Sequence, residues 1–84
     1  MTKEEIFNVL KAGIVDKYGI NEDEVVLEAN LTKDLPLDSL DILYFIQLCE
    51  DKFKITIPDE VAEEAKTVED FVNIIYDIRN GVVA

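Results

Sequence analysis

Asp38-Ser39-Leu40-Asp41-Ile42-Leu43-Tyr44-Phe45-Ile46-Gln47-Leu48-Cys49-Glu50-Asp51-Lys52-Phe53 is the stretch that decides the fold of this 84-residue chain. Asp38 begins a helix, with Asp41 three residues on, and both carboxylates lie near the positive end of the helix dipole. At about 100° per residue, Ile42, Phe45, Ile46, Cys49 and Phe53 share one sector, which predicts a buried stripe. The opposite side carries Leu40, Leu43, Tyr44, Gln47 and Asp51, with Glu50 at its margin. A helix face that meets only water is mostly charged, so three large apolar residues there stand out.

Upstream, Thr2 and Glu5 have the T-x-x-E form of a capping box. Ile6, Leu10, Ile14 and Tyr18 follow at four-residue spacing, with Phe7 beside them, and Gly19 is placed to end the helix; the pattern predicts a helix over residues 3–18. From Ile20 to Leu37 no helical period is sustained. Leu27, Leu31 and Leu35 are four apart, but Asn30, Thr32 and Pro36 argue for a long loop pinned to the core by its Leu and Val side chains. Loops of this length in compact domains are uncommon and usually functional.

Downstream, Ile55-Thr56-Ile57 reads as an extended link, and Pro58 opens a short helix at residues 59–65. Thr67 with Asp70 offers another cap, after which Val68, Phe71, Ile75 and Ile78 line a last helix ending near Arg79-Asn80-Gly81. Val82-Val83-Ala84 reads as a frayed tail. The prediction is an all-α chain: one domain over residues 1–84, a small four-helix bundle of three longer helices and one short one. A long loop joins helices one and two.

Composition narrows the function. With 49% hydrophobic residues the chain can build a core, and 19 Asp and Glu against 8 Lys and Arg give a net charge of −11. Phosphate backbones and anionic lipid attract the opposite sign, so the balance argues against nucleic acid and anionic membrane surfaces and favours partners with basic surfaces. The apolar runs are too short to cross a bilayer, and nothing after Met1 reads as a secretory signal. No histidine occurs, which removes Ser-His, Cys-His and His-metal mechanisms. Lone Cys49 lies on the core stripe as a small hydrophobe and fits a reducing cytoplasm. Asn21 to Glu24, and Asp34, Asp38 and Asp41, lack EF-hand spacing, so no metal site is expected. Crowding of acids beyond Gly19 predicts self-repulsion and raised carboxylate pKa values.

Serine occurs once, at Ser39, directly after the cap residue and at the mouth of the long loop. Free amides at a helix N-terminus suit an esterified phosphate there. As a hydrolase nucleophile Ser39 has no histidine base, so no catalytic residue is expected, and any chemistry at Ser39 belongs to another enzyme. The bland alternative is a helix-start serine in an unmodified acidic adaptor.

Leu35-Pro36-Leu37-Asp38-Ser39-Leu40-Asp41 resembles the Asp-Ser-Leu attachment motif of acyl carrier proteins. Phe53-Lys54-Ile55-Thr56-Ile57-Pro58-Asp59-Glu60 is similar to the segment that joins their second and third helices. The likeness extends through Thr67-Val68-Glu69-Asp70-Phe71 and back from Leu35 to Val25, covering nearly the whole chain. The resemblance implies a non-enzymatic carrier. Phosphopantetheine, donated by coenzyme A through a phosphopantetheinyl transferase, would be attached to Ser39 and hold acyl groups as thioesters for fatty-acid or related synthesis. Asp38, Leu40 and Asp41 complete the motif. Leu40, Leu43, Tyr44, Gln47, Glu50 and Asp51 would form the partner face for synthases and acyltransferases with basic docking patches, on a cytoplasmic monomer.

Pro36 and Leu37 depart from the Gly and small residue usual before the motif, Tyr44 from a usual Glu, and Gln47 from a frequent Met. The last two lie on the docking face and weaken assignment to housekeeping fatty-acid synthesis. A dedicated carrier for a polyketide, aminoacyl or lipid-modification pathway is the alternative. Tyr44 either presents its ring to a partner or folds back on Leu35 or Leu37.

Overall fold

Local capping sets the helix starts. In a computed structural model, which describes residues 1–81, α1 (Lys3–Tyr18), α2 (Ser39–Phe53) and α4 (Val68–Arg79) each open on a capping box. At α1 the Thr2 hydroxyl accepts the Glu5 N–H at 3.1 Å while the Glu5 carboxylate accepts the Thr2 N–H at 2.8 Å. The short α3 (Asp59–Glu64) has Pro58 as its cap and no side-chain cap, and it stops one residue before the end expected from sequence. Gly19 ends α1 at φ 65°, where its N–H donates to the Val15 carbonyl. Lys54 takes the same left-handed role after α2, at φ 57°, without a glycine's freedom. The expected tail at residues 82–84 lies outside the described residues.

The helices surround one apolar core. Ile6, Leu10 and Ile14 of α1 meet Phe45, Cys49 and Phe53 of α2 and Val68, Phe71, Val72 and Ile75 of α4. Phe45 and Phe71 pack edge to face with ring centroids 5.1 Å apart, a geometry that adds about 1 kcal/mol to their burial. Ile42 and Ile46 lie at the margin of the α2 stripe, half-buried, and on α4 Val72 is deeper than Ile78.

The segment between α1 and α2 is a loop, as expected, but it has internal order. A 3-10 turn at Glu22–Glu24 starts on the Asn21 side chain. Val25, Ala29, Leu31, Leu35 and Leu37 are all buried. Asn30 organises its middle: the side-chain oxygen accepts the N–H groups of Thr32 and Lys33, and the Asn30 N–H donates to Asp34. The loop then crosses the start of α4. Val68 and Glu69 donate N–H groups to the carbonyls of Ala29 and Leu27, and Leu31 donates to the carbonyl of Lys66. Backbone groups that a helix start leaves unpaired are thereby satisfied inside the molecule.

The carboxylates with displaced pKa values move down, not up. The Lys66 N–H, followed by the Thr67 N–H and hydroxyl, holds Asp70 below its ordinary range, and Thr2 does the same for Glu5. For these two acids, capping hydrogen bonds outweigh the crowding that net charge predicts.

Candidate functional site

Ser39 occupies the first helical position of α2 and is exposed. Neighbours on both sides hold its backbone. On the loop side Leu35 and Leu37 are buried, with the Leu37 N–H donating to the Leu35 carbonyl at 2.8 Å, while Pro36 between them faces outward. On the helix side Asp38 and Asp41 cap one another: Asp38 accepts the Asp41 N–H at 2.9 Å, and Asp41 accepts the Asp38 N–H at 3.2 Å. The Tyr18 hydroxyl, at the end of α1, donates to the Asp41 carbonyl at 3.0 Å and ties the two helices together here. Burial, then the charges of Asp41 and Asp38, push the Tyr18 phenol above its ordinary pKa.

This arrangement offers an exposed primary hydroxyl on a rigid corner, beside first-turn amides that have no acceptor within the helix. The setting fits a phosphodiester group: the amides favour negative charge, and the space around Ser39 lies on the outside of the bundle. The chain has no histidine that could act on this hydroxyl as a general base.

Leu40, Leu43 and Tyr44 are 57, 62 and 48% exposed, so the face opposite the core stripe is apolar and open. Gln47 and Asp51 continue it, both exposed. Glu50 differs. It is partly buried, and its carboxylate accepts the Ile57 N–H at 2.8 Å, fixing the link between α2 and α3. Tyr44 lies next to α1, with the Lys17 ammonium 5.4 Å from its ring centroid. Cys49 is fully buried, and burial followed by the Glu50 charge pushes its thiol up to about 12, as an inert core residue requires.

Asp34, Asp38 and Asn21, weighed from sequence as possible metal ligands, are engaged with backbone amides. Sequence reading missed the Tyr18 hydroxyl bond, the Lys17–Tyr44 contact and the Glu50 lock. Tyr18 carried a weak signal, a polar-tipped residue closing an apolar stripe. The other two link segments whose separation in sequence says nothing of their contact.

Residues 8–75 match the family described as phosphopantetheine attachment site. The acyl carrier protein of Petrotoga mobilis is 44% identical over 80 residues, covering 95% of this chain and 94% of that protein. That of Lactobacillus acidophilus is 43% identical over 75 residues, covering 89% and 94%. Among solved structures, the acyl carrier protein of Enterococcus faecalis superimposes with a TM-score of 0.77 at 33% identity, over 93% of this chain and 99% of that one. The acyl carrier protein of Thermotoga maritima, at 22% identity, shares the fold with a TM-score of 0.82, over 96% of this chain and 94% of that one. The motif around Ser39, the four-helix order and these relatives converge: the chain belongs to the acyl carrier protein family.

Proposed function

We propose that this chain is a covalent carrier whose Ser39 hydroxyl receives phosphopantetheine from coenzyme A, transferred by a phosphopantetheinyl transferase. The arm supplies a terminal thiol that holds acyl groups as thioesters in fatty-acid or related acyl-chain synthesis. The chain's own residues position and present rather than catalyse. Asp38 and Asp41 fix the first turn of α2, Leu35 and Leu37 anchor the loop before it, and Ser39 is left outward. The observation that carries this reading is the lone serine of the chain, exposed at that turn next to an open apolar face. Leu40, Leu43, Tyr44, Gln47 and Asp51, with the carboxylate of Glu50 behind them, form the docking face for synthases and acyltransferases that carry basic patches. Weak, steered docking suits such a face, because charge guides approach and a small apolar contact lets the partner leave. The working form is a cytoplasmic monomer.

The test is incubation of the purified chain with coenzyme A and a promiscuous transferase, read by intact mass. One phosphopantetheine per chain is expected, none for Ser39→Ala. A wild type left unmodified by several transferases would favour an unmodified acidic adaptor.

A further inference from the structure

α1 and α2 meet along an antiparallel seam. Lys17 lies over Tyr44, a Cβ placed on Gly13 would come within 3.2 Å of the Leu48 side chain, and Val9 and Lys52 line the same groove further along. Tyr44, Leu48 and Lys52 are four residues apart on α2, and Val9, Gly13 and Lys17 are four apart on α1, so the two stripes face each other. The absence of a side chain at Gly13 brings the helices close. Outside this contact they leave an open groove of about 1050 Å³ with Leu48, Val9 and Ala12 in its wall.

The charge around this groove is unlike the rest of the molecule. Lys11, Lys17 and Lys52 line it, three of the 8 basic residues in a chain of net charge −11, against Asp16 and Glu22. Two of these ammonium groups rest on aromatic rings, Lys11 at 5.9 Å from Phe7 and Lys17 at 5.4 Å from Tyr44. Such contacts hold a lysine in place without cancelling its charge. The groove adjoins the apolar face of α2, because Lys17 lines the groove and its ammonium lies over the ring of Tyr44 on that face.

We propose that this groove receives an acidic segment of the enzyme that docks on α2, with its carboxylates against Lys17 and Lys52 and its apolar side chains on Leu48. The inference rests on the carrier reading of Ser39 and adds a second, opposite charge to the docking code. A partner bearing only basic residues meets a chain in which acids outnumber bases 19 to 8. One that also places an acid at the α1 seam fixes a single orientation. A second copy of this chain is the weaker candidate, since two bodies of charge −11 repel.

The sign of the effect separates this proposal from general steering. Lys17→Glu, Lys52→Glu and the loop control Lys33→Glu each make the chain more negative by the same amount, and all three lysines are exposed. Each variant is modified, loaded with an acyl group and presented to a bacterial ketoacyl synthase that turns over the loaded wild type. At low salt, Lys17→Glu and Lys52→Glu should raise KM roughly fivefold with kcat unchanged. Lys33→Glu should leave KM unchanged or lower it, and Lys17→Arg should retain the wild-type KM. A lowered or unchanged KM for both seam variants, with modification of Ser39 intact, overturns the groove proposal alone. Wild type that never takes up phosphopantetheine overturns the carrier reading and this proposal with it. Self-association of the wild type in light scattering, abolished by Lys17→Glu, would make a second copy the occupant and overturn it as well.

Discussion

The starts of α2 and α4 are built from one local device and put to different uses. Both have a residue that caps the helix and an aspartate three positions on that caps it in return. The first helical residue is Ser39 in one and Val68 in the other. Ser39 is exposed, whereas Val68 is fully buried. The long loop makes this difference. It crosses the start of α4, where Ala29 and Leu27 accept the Val68 and Glu69 N–H groups, and then leaves the start of α2 uncovered beyond Leu37. A capped helix terminus is therefore a buried joint or an open corner according to what lies over it.

Substitution at the two equivalent positions should divide function from stability. Ser39→Ala should abolish phosphopantetheine uptake in intact-mass measurements, while the denaturation midpoint stays within about 0.5 kcal/mol of wild type. Val68→Ala should do the reverse: a loss of about 2 kcal/mol by chemical denaturation, with the folded fraction still modified at Ser39. Comparable stability losses at both positions would mean that Ser39 is held by more than its neighbours.

Capping should respond more gently. Thr67→Ala removes the hydroxyl that caps Asp70 and should cost about 1 kcal/mol. Asp70 sharpens the point through pH. Its folded-state pKa lies below the ordinary 3.8, so its stabilising contribution is present above that value and is lost as acid titrates the folded carboxyl. Wild type should be the more stable at pH 7, and the denaturation midpoints of wild type and Asp70→Asn should converge as acid protonates the folded carboxyl, below its ordinary range. A gap that stays constant with pH would assign the effect of Asp70 to packing.

The smallest effect is expected at the far end of α2. Lys54 holds a left-handed conformation that glycine adopts without strain, so Lys54→Gly should stabilise the chain by somewhat under 1 kcal/mol. The Arg79 bond to the Phe53 carbonyl, 2.7 Å long, remains in that variant. A destabilised Lys54→Gly would show that the lysine side chain contributes more than its backbone costs.

What the sequence determined by itself was local. Thr2 with Glu5, Asp38 with Asp41 and Thr67 with Asp70 set three helix starts, and apolar spacing identified the buried faces, because caps and periodicity involve residues within four or five of each other. The exposure of Leu40, Leu43 and Tyr44 followed from the same arithmetic, and lone Ser39 marked itself. The tertiary structure alone decided the rest. Glu50 locks Ile57, Tyr18 bonds the carbonyl of Asp41, Asn30 organises the loop that seals α4, and Gly13 and Lys17 meet Leu48 and Tyr44 across the α1–α2 seam. Apart from the Asn30 turn, these pairs join segments that become neighbours only when the apolar faces pack. Burial fixes those faces against each other, while hydrogen bonds and charge take the partners that packing delivers.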